Sequence, residues 1–227
     1  MTETAPDTAA SQPQETGPTA GQGAGVEGEG QSGPQAGTSQ AGSSEGGLEV
    51  VYFPDPVLRR ETQPVREFGP ALRATAEAML ARMFESRGVG LAAPQVGLSQ
   101  RLFVYNPEGD PERAELSRVM VNPTITARAG KRVKHEEGCL SLPHIYAEIE
   151  RPDRCTVEFC DLDGAAHVEE FDGFVSRIVQ HEYDHIEGVL IVDRMTPADK
   201  ARHRAALEEL RAQYRDAQAG GGASARR

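Results

Sequence analysis

Tryptophan is absent from the 227 residues, aromatic side chains make up 5%, and there are three cysteines. The cysteine count is odd and no C-x-x-C pair occurs. A disulfide framework needs paired cysteines, so this count fits a reducing cytosol better than a secreted cross-linked scaffold. Basic charge is also scarce, with 24 Lys and Arg against 35 Asp and Glu. No basic stripe runs along the chain, which argues against nucleic acid, and DNA in particular, as a partner. No run of about 18 apolar residues exists, so no membrane-spanning helix is expected. The N-terminus has neither a charged-then-apolar leader nor an arginine-rich transit segment, and the chain reads as cytoplasmic.

Part of the acidity belongs to one end. Residues 1–47 hold 11 of the 24 glycines and six acids, with no base and no aromatic. Such a segment cannot bury enough apolar surface to offset its backbone entropy, and it is read as a disordered, passive tail. The remaining chain has 29 acids and 24 bases, a net charge of about -5 rather than -11. A single domain over residues 48–218 follows, with a second short tail at 219–227.

Within that domain Leu72, Ala76, Met79, Leu80 and Met83 recur at helical spacing between Pro70 and the Arg87-Gly88 stop, which predicts an amphipathic helix. Strand-like runs follow at Arg101–Tyr105, Val119–Arg128, Ile145–Glu150, Thr156–Asp161 and His167–Phe171, with a hairpin turn at Asp163-Gly164. A second helix is expected from an N-cap at Asp172 to Gly188, and a third from Thr196-Pro197 to about Tyr214. Helix, antiparallel strands, then helices spell an α+β fold.

The chemistry concentrates in His181-Glu182-Tyr183-Asp184-His185, an H-E-x-x-H on the second helix. Histidines at i and i+4 stand one turn apart on one face and can share a metal ion. Phe174, Ile178, His181 and His185 fall on one stripe, which directs both imidazoles inward. Glu182 flanks that stripe, placed to accept a proton from metal-activated water. A catalytic site of this kind needs a third protein ligand. The extended zinc-protease pattern fails because Ile191 stands where its third histidine belongs. Glu208 and Glu209 lie in an Arg- and Ala-rich stretch that reads as a solvated helix face. The remaining candidate is a thiolate, and Cys139 is the best of the three, since Gly138 before it lets the backbone approach closely. Cys155 and Cys160, on opposite faces of one strand, read as small hydrophobes. The glycine-rich Gly88–Gln95 segment offers backbone for pairing with an extended substrate, and Gln95 offers a side-chain N–H to a developing oxyanion.

Three segments together resemble the peptide deformylase family: Gly88–Gln95 as G-x-G-L-A-A-x-Q, Glu137–Ser141 as E-G-C-L-S, and His181–His185 as H-E-x-D-H. The likeness covers about residues 48–200. It implies an α+β metallohydrolase, antiparallel sheet around the H-E-x-x-H helix, that removes the formyl group from N-formylmethionyl nascent peptides and releases formate. Carried over, Cys139, His181 and His185 hold the metal, and Glu182 acts as general base and then acid. Gln95 and the backbone N–H of Leu140 stabilise the oxyanion. Gly90 pairs with the substrate chain, while Val89 and Ile178 wall the methionine pocket. Glu137 and Arg151 are candidates for orienting the ligands. The implied metal is Fe2+, with Zn2+, Ni2+ or Co2+ as substitutes. A cytoplasmic monomer is expected, its mixed-charge C-terminal helix a candidate for transient ribosome contact. Tyr146 departs from the family by standing where several members have arginine. Two rivals are a general zinc endopeptidase and a non-catalytic protein of the same ancestry. Ile191 and the intact Glu182, Cys139 and Gln95 argue against them.

Overall fold

The computed structural model describes residues 47–221. The expected tail therefore lies, but for Gly47, outside the described residues, as does the end of the C-terminal one. Helix α1 spans Pro70–Glu85 and buries Leu72, Ala76, Met79 and Met83, with Leu80 partly buried. It ends where the sequence places its stop. Arg87 takes the left-handed conformation, and the Gly88 N–H bonds to the Met83 carbonyl at 2.9 Å, closing the last turn.

Five strands form one antiparallel sheet in the order β1-β2-β3-β4-β5: β1 Gly90–Ala92, β2 Leu102–Tyr105, β3 Arg118–Cys139, β4 Leu142–Cys160 and β5 Ala166–Asp172. Between β1 and β2 a 3-10 turn, Ala93–Val96, carries Gln95. The alternation of β2 divides two cores. Leu102 and Val104 pack toward α1, while Phe103 and Tyr105 join a cluster with Ile178, Val179 and Ile186. These last three lie on helix α2, Gly173–Ile186. Cys155 and Cys160 divide the same way, one to each cluster, as their spacing requires.

Two expectations about the strands need correction. The runs Ile145–Glu150 and Thr156–Asp161 belong to one continuous strand, β4, and Val119–Arg128 is the first half of a β3 that continues to Cys139. The second half of β3 is rich in Lys, Arg, His and Glu and lacks apolar alternation, so nothing in its pattern marks a strand. Pairing with β4 makes it one, and Pro152 is accommodated beside a register shift between Ala129 and Arg132. The β4–β5 turn is as expected: the Asp161 carboxylate accepts from the Asp163 and Ala165 N–H groups, and Gly164 supplies the positive φ.

Helix α2 ends at Ile186 with Glu187 as its C-cap, and the left-handed backbone of Gly188 beyond it lets the Val189 N–H reach the Asp184 carbonyl at 2.8 Å. Asp172 is its N-cap residue, although its side chain makes no cap hydrogen bond. The expected third helix is interrupted. After a short α3, Ile191–Arg194, Thr196 caps α4, Pro197–Arg202, and a break at His203 precedes α5, Arg204–Gly221. Leu207 anchors α5 on a third core cluster with Leu142, Ile145, Ala147 and Ile149 of β4. Among the described residues no helix is long and apolar enough to cross a membrane.

Candidate active site

Cys139 closes β3 immediately before a tight turn, and His181 and His185 lie one turn apart on α2. The ligand atoms of these three residues lie within 4.8 Å of one another. Cys139 Sγ stands 3.3 Å from His185 Nε2. A tetrahedral ion with bonds of about 2.3 Å to sulfur and about 2.0 Å to nitrogen separates such atoms by roughly 3.5 Å. His181 gives its Nδ1 to Glu137 Oε2 at 3.0 Å, which leaves Nε2 for a metal. One thiolate and two imidazoles on a rigid helix and strand end therefore suit a divalent transition metal.

Glu182 is 4% exposed, and among the described residues its Oε2 has no hydrogen-bond partner. Burial is the main cause that pushes this carboxyl up to about 7. The space beside it exists because residue 90 is glycine. A Cβ there would collide with the Glu182 carboxylate, lying 2.8 Å from its Cδ. Gln95, 1% exposed, accepts from the Ala92 N–H at 2.8 Å through Oε1. Its Nε2 thus turns toward Ser141 Oγ at 3.4 Å and Cys139 Sγ at 3.6 Å.

These groups open onto a cavity of about 850 Å³. Val89, Gly90, Gln95, Cys139, Leu140, His181 and Glu182 all line it. His185 is buried behind the cluster, at 1% exposure. Two residues of the expected stripe part from it. Ile178 is not on the cavity wall; it packs into the core cluster against which Val89 rests. Phe174 is half exposed at the cavity's edge rather than inside the domain. With 3.6 residues per turn the face carrying His181 continues backward through Arg177, and Ile178 turns toward the sheet. Tyr146 is exposed at the same mouth, its ring against Gly138, where a Cβ would stand 2.7 Å from Cε1.

Behind the ligands lies a buried ionic network. Arg151 donates to Glu137 at 2.7 and 2.9 Å and to Asp184 at 2.8 Å. Arg177 donates to Glu137 at 2.6 Å, and Arg194 pairs with Asp184. Taking such charges from water costs several kcal/mol each, so the network is stable only because every carboxylate meets guanidinium donors. Glu137 and Arg151 thus stand where the sequence reading put them, behind the ligands. Arg177, Asp184 and Arg194 were missed. Arg177 has one legible signal, its place four residues before His181 on the same helical face.

Burial alone would raise the Glu137 carboxyl, but hydrogen bonds from His181 and Arg151 outweigh it and hold the group far below its ordinary value of 4.5. A carboxyl depressed on folding stabilises the fold above its unfolded pKa, and that contribution is lost as pH falls through the folded value. The melting temperature of the metal-free protein is therefore expected to drop from about pH 5 downward. In Glu137→Gln the slope should be shallower over that range. Equal slopes would assign the acid sensitivity to other groups.

The polypeptide deformylase family model matches residues 48–201. The chain belongs to the peptide deformylase family. A peptide deformylase of Thermus thermophilus is 47% identical over 172 residues, covering 71% of this chain and 87% of the relative. Peptide deformylase 1B, chloroplastic/mitochondrial, of Arabidopsis thaliana is 42% identical over 170 residues, 74% of this chain and 62% of its own length. A solved Plasmodium falciparum peptide deformylase superposes with a TM-score of 0.72 at 39% identity, covering 74% of this chain and 98% of that one. Deformylases are metal-dependent enzymes that remove the N-formyl group from nascent peptides. The α+β architecture and the convergent Cys139, His181 and His185 agree with that membership.

Proposed function

We propose that this deformylase holds one metal ion through Cys139, His181 and His185 and uses Glu182 to move the protons of formamide hydrolysis. The observation that carries this reading is the pairing of three convergent ligand atoms with a buried carboxylate oxygen that has no partner among the described residues. When bound, the metal supplies a Lewis acid that makes water nucleophilic near neutral pH.

From there the work falls to the chain's own groups. Glu182 takes a proton from the attacking water as its oxygen adds to the formyl carbon. Gln95 Nε2 and the Leu140 backbone N–H donate to the oxygen that becomes negative. Glu182 then returns the proton to the departing amide nitrogen, the C–N bond breaks, and formate and a free N-terminal methionine are released. Gly90's backbone pairs with the peptide, and Val89 supplies part of the methionine wall. A nascent chain is a suitable substrate because the cavity is open at its mouth, where Tyr52, Tyr146 and Phe174 stand exposed.

Ligand chemistry admits several metals, since imidazole and thiolate suit zinc as well as iron. We assign Fe2+, with Zn2+, Ni2+ and Co2+ as functional substitutes, and a cytoplasmic monomer whose free thiols fit a reducing compartment. The exposed charged face of α5 is offered as a transient ribosome contact. The test is formate release from formyl-Met-Ala-Ser by protein purified without oxygen, with metal analysis of the same sample. Rapid release with about one Fe per chain, lost on chelation and restored by Fe2+, is the expected result. Metal without formate release would overturn the reading.

A further inference from the structure

Glu137 accepts four hydrogen bonds. On Oε1 they come from Arg151 Nε at 2.7 Å and Arg177 Nη1 at 2.6 Å; on Oε2 they come from Arg151 Nη2 at 2.9 Å and His181 Nδ1 at 3.0 Å. That is the full acceptor capacity of a carboxylate. The two arginines are not equivalent. Arg151 also serves Asp184, at 2.8 Å, so its charge is divided between two carboxylates. Among the described residues Arg177 serves no second carboxylate. Its other bonds go to backbone, to the Ile149 carbonyl of β4 at 3.0 Å and the Val133 carbonyl of β3 at 2.7 Å. One guanidinium therefore joins both long strands and the Glu137 carboxylate to α2, one turn before His181.

We propose that Arg177 is a positioning residue for the metal centre: by pinning Glu137 Oε1 to the two strands, it holds Oε2 where the His181 imidazole must donate. An imidazole whose Nδ1–H is fixed in this way presents a set Nε2 lone pair, and partners of this kind commonly govern metal affinity. With Arg177 removed, Glu137 keeps one guanidinium that Asp184 also claims, and the carboxylate is free to pivot on Arg151. The inference rests on His181 being a metal ligand.

The test uses full-length protein and Zn2+, with affinity read by competition against a chromogenic chelator. Arg177→Met is expected to weaken Zn2+ binding about 10- to 100-fold, lower kcat, and change KM little. Arg177→Lys should restore part of the affinity, since a lysine can reach Glu137 but cannot span both strand carbonyls; it also serves as the test if Arg177→Met fails to fold. Because the effect passes through Glu137, Arg177→Met/Glu137→Gln should bind Zn2+ no more weakly than Glu137→Gln alone. Arg118→Met removes a surface cation whose carboxylate partner is Glu169, outside this network, and should leave Zn2+ affinity near that of the parent. Unchanged affinity in Arg177→Met, additive losses in the double variant, or a rise in KM alone would overturn the proposal. His181→Ala separates the two ideas. Parent-like Zn2+ affinity in that variant refutes the ligand reading itself; loss there with none in Arg177→Met refutes only the role of Arg177.

Discussion

Glu182→Gln is expected to retain one metal per chain and to lose about 10²- to 10⁴-fold in kcat. Glutamine has nearly the shape of glutamate, so the buried volume beside Gly90 stays filled. None of the three ligand atoms is touched, because Cys139, His181 and His185 form the cluster without it. What disappears is an acceptor that can hold a proton. The Oε2 atom of Glu182 lies buried without a partner among the described residues, and leaving a polar atom in that state costs about 1–3 kcal/mol. A fold tolerates that cost where the atom has work to do. Formate release and metal content measured on one preparation decide the matter. A variant with full turnover would remove Glu182 from the mechanism, and a variant without metal would mean that Glu182 supports the ligand cluster instead.

The site was legible where residue type and short-range spacing determine geometry. Histidines at i and i+4 must share a helix face, and a glutamate next to the first of them must flank it. Cys139 stood out by its local sequence, with Gly138 before it to admit a close backbone approach, while its place at the end of β3 was not visible in that sequence. The supporting layer was only partly readable. Arg151 falls on the inward phase of Ile145, Ala147 and Ile149 along β4. That alternation was obscured by treating Ile145–Glu150 as a complete strand ending one residue short. Arg177, Asp184 and Arg194 come together across elements far apart in sequence, and no local pattern announces a contact of that range. An arginine in a helix reads as solvated unless its partner is known. The same reason explains Ile178. Periodicity placed it on the inner side of α2, but a helix buried on two sides has two inner faces, one toward the sheet and one toward the cavity. The polar second half of β3 was illegible as a strand because pairing, not its own composition, sets its conformation.

Gly90→Ala is expected to reduce kcat severely while leaving the metal in place. Before the structure, Gly90 had a role through its backbone alone, as a partner for the peptide. The packing adds a second requirement. The added methyl would overlap the Glu182 carboxylate and stand 2.8 Å from its Cδ, and both residues are buried. Either β1 shifts away or the carboxylate swings aside. β1 is hydrogen-bonded to β2, with Gly90 opposite Tyr105. The strand is therefore the stiffer of the two, and the side chain is the part that yields. Displacing a proton-transfer group by about 1 Å can cost on the order of 10²-fold in rate. The loss should appear in kcat more than in KM, because the backbone N–H and C=O of residue 90 survive the substitution. Introducing Glu182→Asp into Gly90→Ala shortens the acid by one methylene and offers the methyl its space. Partial recovery of kcat in that double variant would tie the defect to the collision. A rise in KM with unchanged kcat in Gly90→Ala would place the effect in peptide pairing instead.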